Sequence, residues 1–190
     1  MTPGPAGAVR LWRIAPGRHA PLDGEGARRF GGRWSSPGQP AIYLASQLAL
    51  AALEVLAHLD PAALPIDLAA FAVDVPAALG APEEWSRWDA QRTADGAALV
   101  LPDGWRDVAQ PVACRAVGDA WLRSASDARA ALLRVPSAVL PAWAEPAGGG
   151  VTAGSWCAVL DARHPAARDV RVAERHPFAF DPRLLAVRPG

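Results

Sequence analysis

The chain has 190 residues, 51% of them hydrophobic, and its 19 basic residues balance its 19 acidic ones. This hydrophobic content excludes a disordered chain, and the length suits a single domain with a substantial core, which we expect to span residues 1–190. The zero net charge lacks the basic excess typical of nucleic-acid-binding domains. Every basic residue is an arginine, so an arginine indicates function here by its position and not by its presence.

The cysteines and the first residues of the chain bear on its redox chemistry and location. Cys114 and Cys157 lie far apart and form no CxxC pair. They therefore indicate free, buried thiols and neither a disulfide nor a metal site. The start, MTPGPAGAVR, lacks the apolar segment of a signal peptide, and no run approaches the roughly 20 apolar residues of a membrane-spanning helix. We expect a cytoplasmic protein without membrane contact.

The pattern of apolar residues predicts strands and helices without a regular βαβ alternation, which favours an α+β fold. Residues 1–7 are predicted to be flexible. Strands are predicted at about residues 9–15, 41–45, 68–76, 155–161 and 169–180, and in the part of 128–137 that precedes Pro136. Helices are predicted at 47–59, with Ser46 as N-cap, and at 115–126, and a short turn capped by Asp181 at 181–185.

Residues 16–40 are dense in glycine and proline and are predicted to form one long loop, a kind of segment that is commonly functional. This loop contains FGGRWSSPG, residues 30–38. Gly31 and Gly32 allow backbone conformations and close approaches that other residues resist, and Arg33 follows them directly. Trp34 is more typical of packing than of ligand contact. The stretch therefore offers Arg33 as a candidate ligand-binding residue.

The predicted helix QLALAALEVLAHL, residues 47–59, is apolar on nearly all sides, and a helix of this kind is expected to be buried. Its polar side chains, Gln47, Glu54 and His58, fall on one narrow strip. Glu54 and His58 are four residues apart, which suits a surface ion pair as well as a site facing a cleft. The spacing leaves both interpretations open.

Several separated motifs resemble the RES domain, the toxin of Xre–RES toxin–antitoxin pairs. Residues 11–59 match the family pattern G-x-G-a-x-x-x-G-G-R-W, then a tyrosine in a strand, then L-E-v-L-x-H, in order and spacing. LLRVPSAVLP, residues 132–141, is similar to the segment that carries the family serine. The likeness spans about residues 10–180. It departs after the serine, where GSWCAVLDARHP replaces an Asn-rich N-x-x-x-N-P-x-H-P stretch, and we assign no role to Asp161 or His164 there.

The resemblance implies an ADP-ribosyltransferase-like single domain, α+β with mixed, mainly antiparallel sheets flanked by helices, that consumes NAD. By position, Arg33, Tyr43, Glu54 and Ser137 correspond to the family's arginine, strand tyrosine, glutamate and serine, and Arg13 to an arginine on the first strand. The implied catalytic residues are Glu54, Arg33 and Ser137, and the implied substrate-binding residues are Tyr43, Arg13 and Arg33. NAD is then a substrate, and the resemblance implies no cofactor and no metal.

The residue types suit this chemistry. Departure of nicotinamide builds positive charge on the ribose, which the Glu54 carboxylate can stabilise. The planar guanidinium of Arg33 can donate two hydrogen bonds to a pyrophosphate. Tyr43, the one tyrosine in the chain, can stack on nicotinamide. A Rossmann-type NAD site is unsupported, because no GxGxxG motif follows a predicted strand.

Three activities and one partner follow from the resemblance. The favoured activity is an NAD glycohydrolase or phosphorylase. The alternatives are an ADP-ribosyltransferase that modifies a macromolecule and a non-catalytic binding module on the same fold. The implied partner is a cognate Xre-type helix-turn-helix antitoxin that carries the DNA-binding function, so we expect no direct nucleic-acid binding by this chain. The sequence does not decide between a monomer and a homodimer.

Overall fold

The computed structural model describes residues 7–59, 67–79, 99–107, 111–124, 130–140 and 155–185. The strands in these ranges are β1 (Ala8–Pro16), β2 (Ala41–Ala45), β3 (Leu68–Pro76), β4 (Leu132–Val135), β5 (Cys157–Asp161) and β6 (Arg171–Phe178). The α-helices are α1 (Glu25–Phe30), α2 (Leu48–His58), α3 (Val112–Arg123) and α4 (Pro182–Leu185). Short 3-10 helices cover Ala77–Leu79 and Pro165–Asp169.

The strands form one sheet in the order β4-β5-β2-β1-β3-β6, and all pairings among the described strands are antiparallel. The predicted α+β class is therefore confirmed. β1 pairs with β3 from Ala8 to Pro16, but with β2 only at Trp12 and Ala45. Beyond this pair the described residues of β1 and β2 form no further register pair.

The two faces of the sheet pack against different residues. On β2, Tyr43 and Ala45 contact the same apolar cluster as Leu50 of α2 and Trp121 of α3. The alternate residues of β2, among them Ile42, belong to a second cluster on the opposite face, as the period of two along a strand requires. The face that carries Tyr43 is therefore the face that α2 and α3 cover.

Two expectations for α2 are wrong. Ser46 is not its N-cap, because Gln47 takes that position without a side-chain cap and Ser46 Oγ instead accepts a hydrogen bond from the Trp156 N–H over 3.0 Å. The helix is also not buried on all sides, since Leu50 is 2% exposed but Leu53 is 45% exposed. α2 packs against β1 and β2 from one side, so its outer side faces solvent despite its apolar composition.

The predicted loop 16–40 contains a helix that the sequence pattern does not predict. α1 covers Glu25–Phe30, and Gly24 precedes it with a φ of 71°. Asp23 Oδ1 accepts a hydrogen bond from the first N–H of the helix over 3.0 Å, and Arg28 pairs with the Glu25 carboxylate. A six-residue segment that contains a glycine has low helix propensity, so these local contacts decide its conformation. α3 also begins earlier than predicted, at Val112.

The other predicted elements are confirmed with shifts of a few residues at their ends. Pro136 directly follows β4, an edge strand, where a residue without an N–H is tolerated. Asp181 Oδ1 accepts a hydrogen bond from the Arg183 N–H over 2.9 Å at the start of α4, as predicted. Of the segment predicted to be flexible, residues 1–6 lie outside the described residues. No helix in the described ranges is long and apolar enough to cross a membrane.

Candidate active site

A cavity of about 570 Å³ opens on the face of the sheet that α2 and α3 cover. Its volume lies within the roughly 300–1,000 Å³ of small-molecule sites. Residues of β1, β2, β5, α1, α2 and α3 line it, including four of the five predicted site residues: Arg13, Arg33, Tyr43 and Glu54. The fifth, Ser137, lies behind the cavity wall at 1% exposure and reaches the site through a hydrogen bond.

Glu54 extends from α2 and accepts two hydrogen bonds on one carboxylate oxygen. Ser137 Oγ donates to Glu54 Oε1 over 2.6 Å, and Cys157 Sγ donates to the same oxygen over 3.4 Å. Glu54 Oε2 has no hydrogen-bond partner among the described residues. The protein therefore fixes the carboxylate through Oε1 and leaves Oε2 for a ligand.

The Cys157 thiol is a neutral donor in this arrangement. Burial raises its pKa well above the ordinary value, and the neighbouring Glu54 carboxylate raises it further. The thiol is therefore protonated at neutral pH and can donate its hydrogen to the carboxylate. Both cysteines are free and buried, as predicted. The sequence offers no signal that separates Cys157 from Cys114, so it does not predict that Cys157 lies in the site.

Tyr43 holds the FGGRWSSPG loop by its hydroxyl group. Tyr43 Oη accepts a hydrogen bond from the Trp34 N–H over 3.0 Å and lies 2.9 Å from Ser35 Oγ. Burial raises the pKa of Tyr43 to about 12, so the hydroxyl is neutral under ordinary conditions. Because the hydroxyl is occupied, the ring of Tyr43 is the part that can contact a ligand in the cavity.

The two glycines of this loop allow it to fold tightly against Tyr43. A Cβ on Gly32 would lie 2.5 Å from Tyr43 Oη, closer than any side chain tolerates. Gly31 has a φ of +70°, in the left-handed region that favours glycine. The close approach that these residues permit is therefore to other parts of the protein.

Arg33 extends from the loop and contacts the segment 99–107. Arg33 Nη1 donates to the Trp105 carbonyl over 2.8 Å and to the Asp107 carbonyl over 3.0 Å. A guanidinium group carries five N–H donors. Two carbonyl contacts therefore leave donors of Arg33 for a ligand in the cavity that it lines.

α3 supports the loop from the other side. Arg115 Nε donates to the Gly32 carbonyl over 2.8 Å. The buried Asp119 accepts a further hydrogen bond from a backbone N–H of the loop over 2.9 Å. A Cβ on Gly118 would lie 1.8 Å from the Trp34 carbonyl oxygen. Glycine lowers helix propensity at this position, and the contact with the loop explains why it is there.

The side chain of Arg13 joins β1 to β2. Arg13 Nη1 donates to the Tyr43 carbonyl over 3.0 Å, in a part of the sheet where the two strands do not pair. Its Nε is buried without a hydrogen-bond partner among the described residues. Burial lowers the pKa of this guanidinium. A partly buried cation with an unused donor favours an anionic ligand nearby.

Three further polar residues singled out in the sequence have other positions. His58 is exposed at the edge of the cavity, and the described residues include no ion pair between it and Glu54. Asp161 is buried, and its carboxylate accepts a hydrogen bond from the Arg163 N–H. His164 Nδ1 accepts a hydrogen bond from the Ala166 N–H. Both close the turn after β5. Among the described residues, no group of three or more His, Cys, Asp or Glu side chains is placed to hold a metal ion.

The charges around the cavity are unequal. Of the described residues, three arginines, Arg13, Arg33 and Arg115, and a single carboxylate, Glu54, line it. No salt bridge in the described part of the chain joins these arginines to a carboxylate, although Arg10, Arg28 and other arginines elsewhere have such partners. Unpaired cations facing a cavity attract an anionic ligand.

Comparison with known proteins identifies relatives over most of the chain. Residues 10–181 match the model of the RES domain family. The chain is 32% identical over 177 residues to "Toxin Res" of Pseudomonas putida, covering 92% of this chain and 99% of the relative. It is 29% identical over 181 residues to "Prs ADP-ribosylating toxin" of Sphingobium sp., covering 92% and 96%.

A solved structure shares the fold. The crystal structure of the M. tuberculosis MbcT-MbcA toxin-antitoxin complex contains a chain that superposes with a TM-score of 0.59 at 22% sequence identity, covering 94% of this chain and 87% of that one. The family match, which extends over most of the chain, agrees with the motifs around Arg33, Glu54 and Ser137. The chain belongs to the RES domain family.

Proposed function

We propose that this protein is the toxin of a toxin–antitoxin pair and that it consumes NAD by cleaving the bond between nicotinamide and ribose. One observation carries the proposal: among the described residues, a cavity of suitable size is lined by three arginines that form no salt bridge and by one carboxylate whose Oε2 accepts no hydrogen bond. NAD has a complementary distribution of charge, with an anionic pyrophosphate and a cationic nicotinamide ring. Membership of the RES family and the names of the relatives give independent support.

The positions of the side chains suggest how NAD would lie. Glu54 is fixed next to Cys157, which pairs with Ala45 on β2. Tyr43 precedes Ala45 by two residues on β2, so the two residues are roughly 7 Å apart. The Tyr43 hydroxyl accepts a hydrogen bond from the loop that contains Arg33. In this order the nicotinamide and its ribose lie between Glu54 and Tyr43, and the pyrophosphate lies at the arginines.

Glu54 would supply the main electrostatic contribution to the reaction. As the bond to nicotinamide breaks, the anomeric carbon gains positive charge and the leaving group becomes neutral. A carboxylate oxygen held beside that carbon stabilises the transition state more than the ground state. Ser137 then acts as a positioning residue, because its hydroxyl holds Oε1 and it does not line the cavity.

The acceptor of ADP-ribose distinguishes the candidate activities. We favour water or phosphate, which gives a glycohydrolase or a phosphorylase. Transfer to a macromolecule is the second candidate, because the Sphingobium relative is named an ADP-ribosylating toxin. A non-catalytic binding module is less well supported, since Arg33, Tyr43 and Glu54 all line the cavity.

We propose an antitoxin of the Xre type, with a helix-turn-helix domain, as the partner. The structural neighbour was crystallised as a toxin–antitoxin complex, and the family resemblance supplies the Xre type. Such a partner would inhibit the protein by covering the cavity, and it would carry the DNA-binding function that a chain of zero net charge lacks.

Expression without the antitoxin tests the toxin function in cells. We expect induction to arrest growth and to lower cellular NAD, and we expect Glu54→Gln, produced at the same level, to do neither. Growth arrest with normal NAD would favour modification of a macromolecule. Normal growth with abundant soluble wild-type protein would favour the binding module and reject the toxin proposal.

A further inference from the structure

Arg115, on the first turn of α3, is a cavity residue for which the family motifs give no role. It lies next to Arg33 in space, because its Nε donates to the carbonyl of Gly32 over 2.8 Å. This contact uses one of its three nitrogens. The two terminal nitrogens, Nη1 and Nη2, have no hydrogen-bond partner among the described residues, and Arg115 lines the cavity.

The charge of Arg115 lies at the cavity. In the described ranges no carboxylate forms a salt bridge with it, whereas Arg123 on the same helix pairs with Asp119. Arg115 is only partly exposed, so water compensates its charge less than at an open surface. α3 begins at Val112, and the positive end of its dipole adds to the field on the same side of the cavity.

Arg33 alone is a weak candidate for binding two phosphate groups. One of its terminal nitrogens already donates to two backbone carbonyls. Arg115, by contrast, uses only Nε, so its outer edge retains the pair of terminal nitrogens. Two N–H donors in one plane match two oxygens of a phosphate group.

We propose that Arg115 binds the pyrophosphate of NAD, together with Arg33, and so sets which end of the dinucleotide reaches Glu54. This inference rests on the proposed NAD-consuming function. Because Nε holds the Gly32 carbonyl, Arg115 also couples the position of the loop to the bound phosphate. The residue therefore binds the substrate directly and is not limited to supporting the loop.

Arg115→Gln separates these two roles. The glutamine Nε2 has the same place along the side chain as the arginine Nε, so it can still donate to the Gly32 carbonyl, while the charge and the terminal nitrogens are lost. Arg115→Lys is a second variant that keeps the charge but loses the planar pair of donors. Arg183→Gln is the matched control, since Arg183 is 87% exposed and pairs with Asp181 on α4.

The measurement is the affinity of the purified variants for ADP-ribose by calorimetry, with kcat and KM for NAD on the same preparations. For Arg115→Gln we expect the Kd for ADP-ribose and the KM for NAD to rise about ten- to hundredfold, as for a lost charge-assisted hydrogen bond. We expect kcat at saturating NAD to change less than about threefold, since the chemistry at Glu54 is intact. Arg115→Lys should fall between wild type and Arg115→Gln, and Arg183→Gln should match wild type.

The outcomes separate this inference from the proposed function. If wild type binds ADP-ribose and consumes NAD but Arg115→Gln binds ADP-ribose equally well, Arg115 does not contact the pyrophosphate and the inference is wrong. A loss of kcat with unchanged ADP-ribose affinity would likewise reduce Arg115 to a support of the loop. If wild type neither binds ADP-ribose nor consumes NAD, the proposed function fails as well.

Discussion

Ser137→Ala should reduce turnover by releasing the carboxylate of Glu54. The 2.6 Å hydrogen bond from Ser137 Oγ to Glu54 Oε1 has the length of a charge-assisted O–H···O⁻ bond. Such bonds contribute about 1.5–3 kcal/mol, which corresponds to roughly ten- to hundredfold in rate. We expect kcat to fall by that factor and KM for NAD to change by less than about twofold, because Ser137 does not line the cavity.

Cys157→Ala provides a graded comparison at the same carboxylate oxygen. Its thiol is a weaker donor at a longer distance of 3.4 Å, so we expect a loss of kcat below about fivefold. Thermal melting of each variant should remain close to wild type, because the partly exposed Glu54 can turn towards water. An unchanged kcat in Ser137→Ala, or a larger loss in Cys157→Ala than in Ser137→Ala, would refute the view that Ser137 holds the carboxylate.

Three other predictions concern the loop and the thiols. Arg33→Lys should lose at least about tenfold in kcat/KM, because one ammonium group cannot bind the 99–107 segment and also offer planar donors to a phosphate. A near-normal kcat/KM would mean that Arg33 contributes only its charge. Gly118→Ala should lower both melting temperature and activity, since its Cβ would lie 1.8 Å from the Trp34 carbonyl; a wild-type melting curve would contradict that contact. Burial raises the pKa of Cys114 and of Cys157. At pH 8 the native protein should therefore react slowly with iodoacetamide, and the urea-unfolded protein should react quickly. Equal rates for the two would contradict this prediction.

The sequence predicts the sheet better than the helices because its strands carry strong local signals. The strand at 41–45 is predicted with the bounds that the structure gives, since apolar residues fill it and glycine and proline precede it. The sequence does not predict α1, because this helix has only six residues and one of them is a glycine. Contacts made by Asp23 and Arg28 stabilise the helix. α2 has the expected place, but its sequence does not reveal that one apolar side remains exposed.

The candidate site is predictable in its motif residues and not in their contacts. The family motifs point to Arg33, Tyr43 and Glu54, and all three line the cavity. Cys157 and Arg115 are not predictable, because each reaches the site from a strand or helix more than 80 residues further along the chain. Pairings over such a separation depend on the order of strands in the sheet and on the packing of α3.

The same limit explains the loop that carries Arg33. The two glycines of the loop explain why its backbone can bend. The sequence does not show which residues the bent loop contacts. The tyrosine hydroxyl on β2 and Gly118 on α3 both contact the backbone of this loop. Each contact joins segments whose relative position is set by the tertiary fold and not by local pattern.

Turnover of NAD by purified wild type and Glu54→Gln, with a melting curve on the same samples, tests the central claim most directly. We expect wild type to release nicotinamide, with ADP-ribose as the product in the absence of phosphate and a phosphorylated product if phosphate is the acceptor. Glu54→Gln should melt like wild type and turn over NAD at least about a hundredfold more slowly, as for the loss of other single electrostatic stabilisers. A folded Glu54→Gln variant that consumes NAD at the wild-type rate would contradict the account.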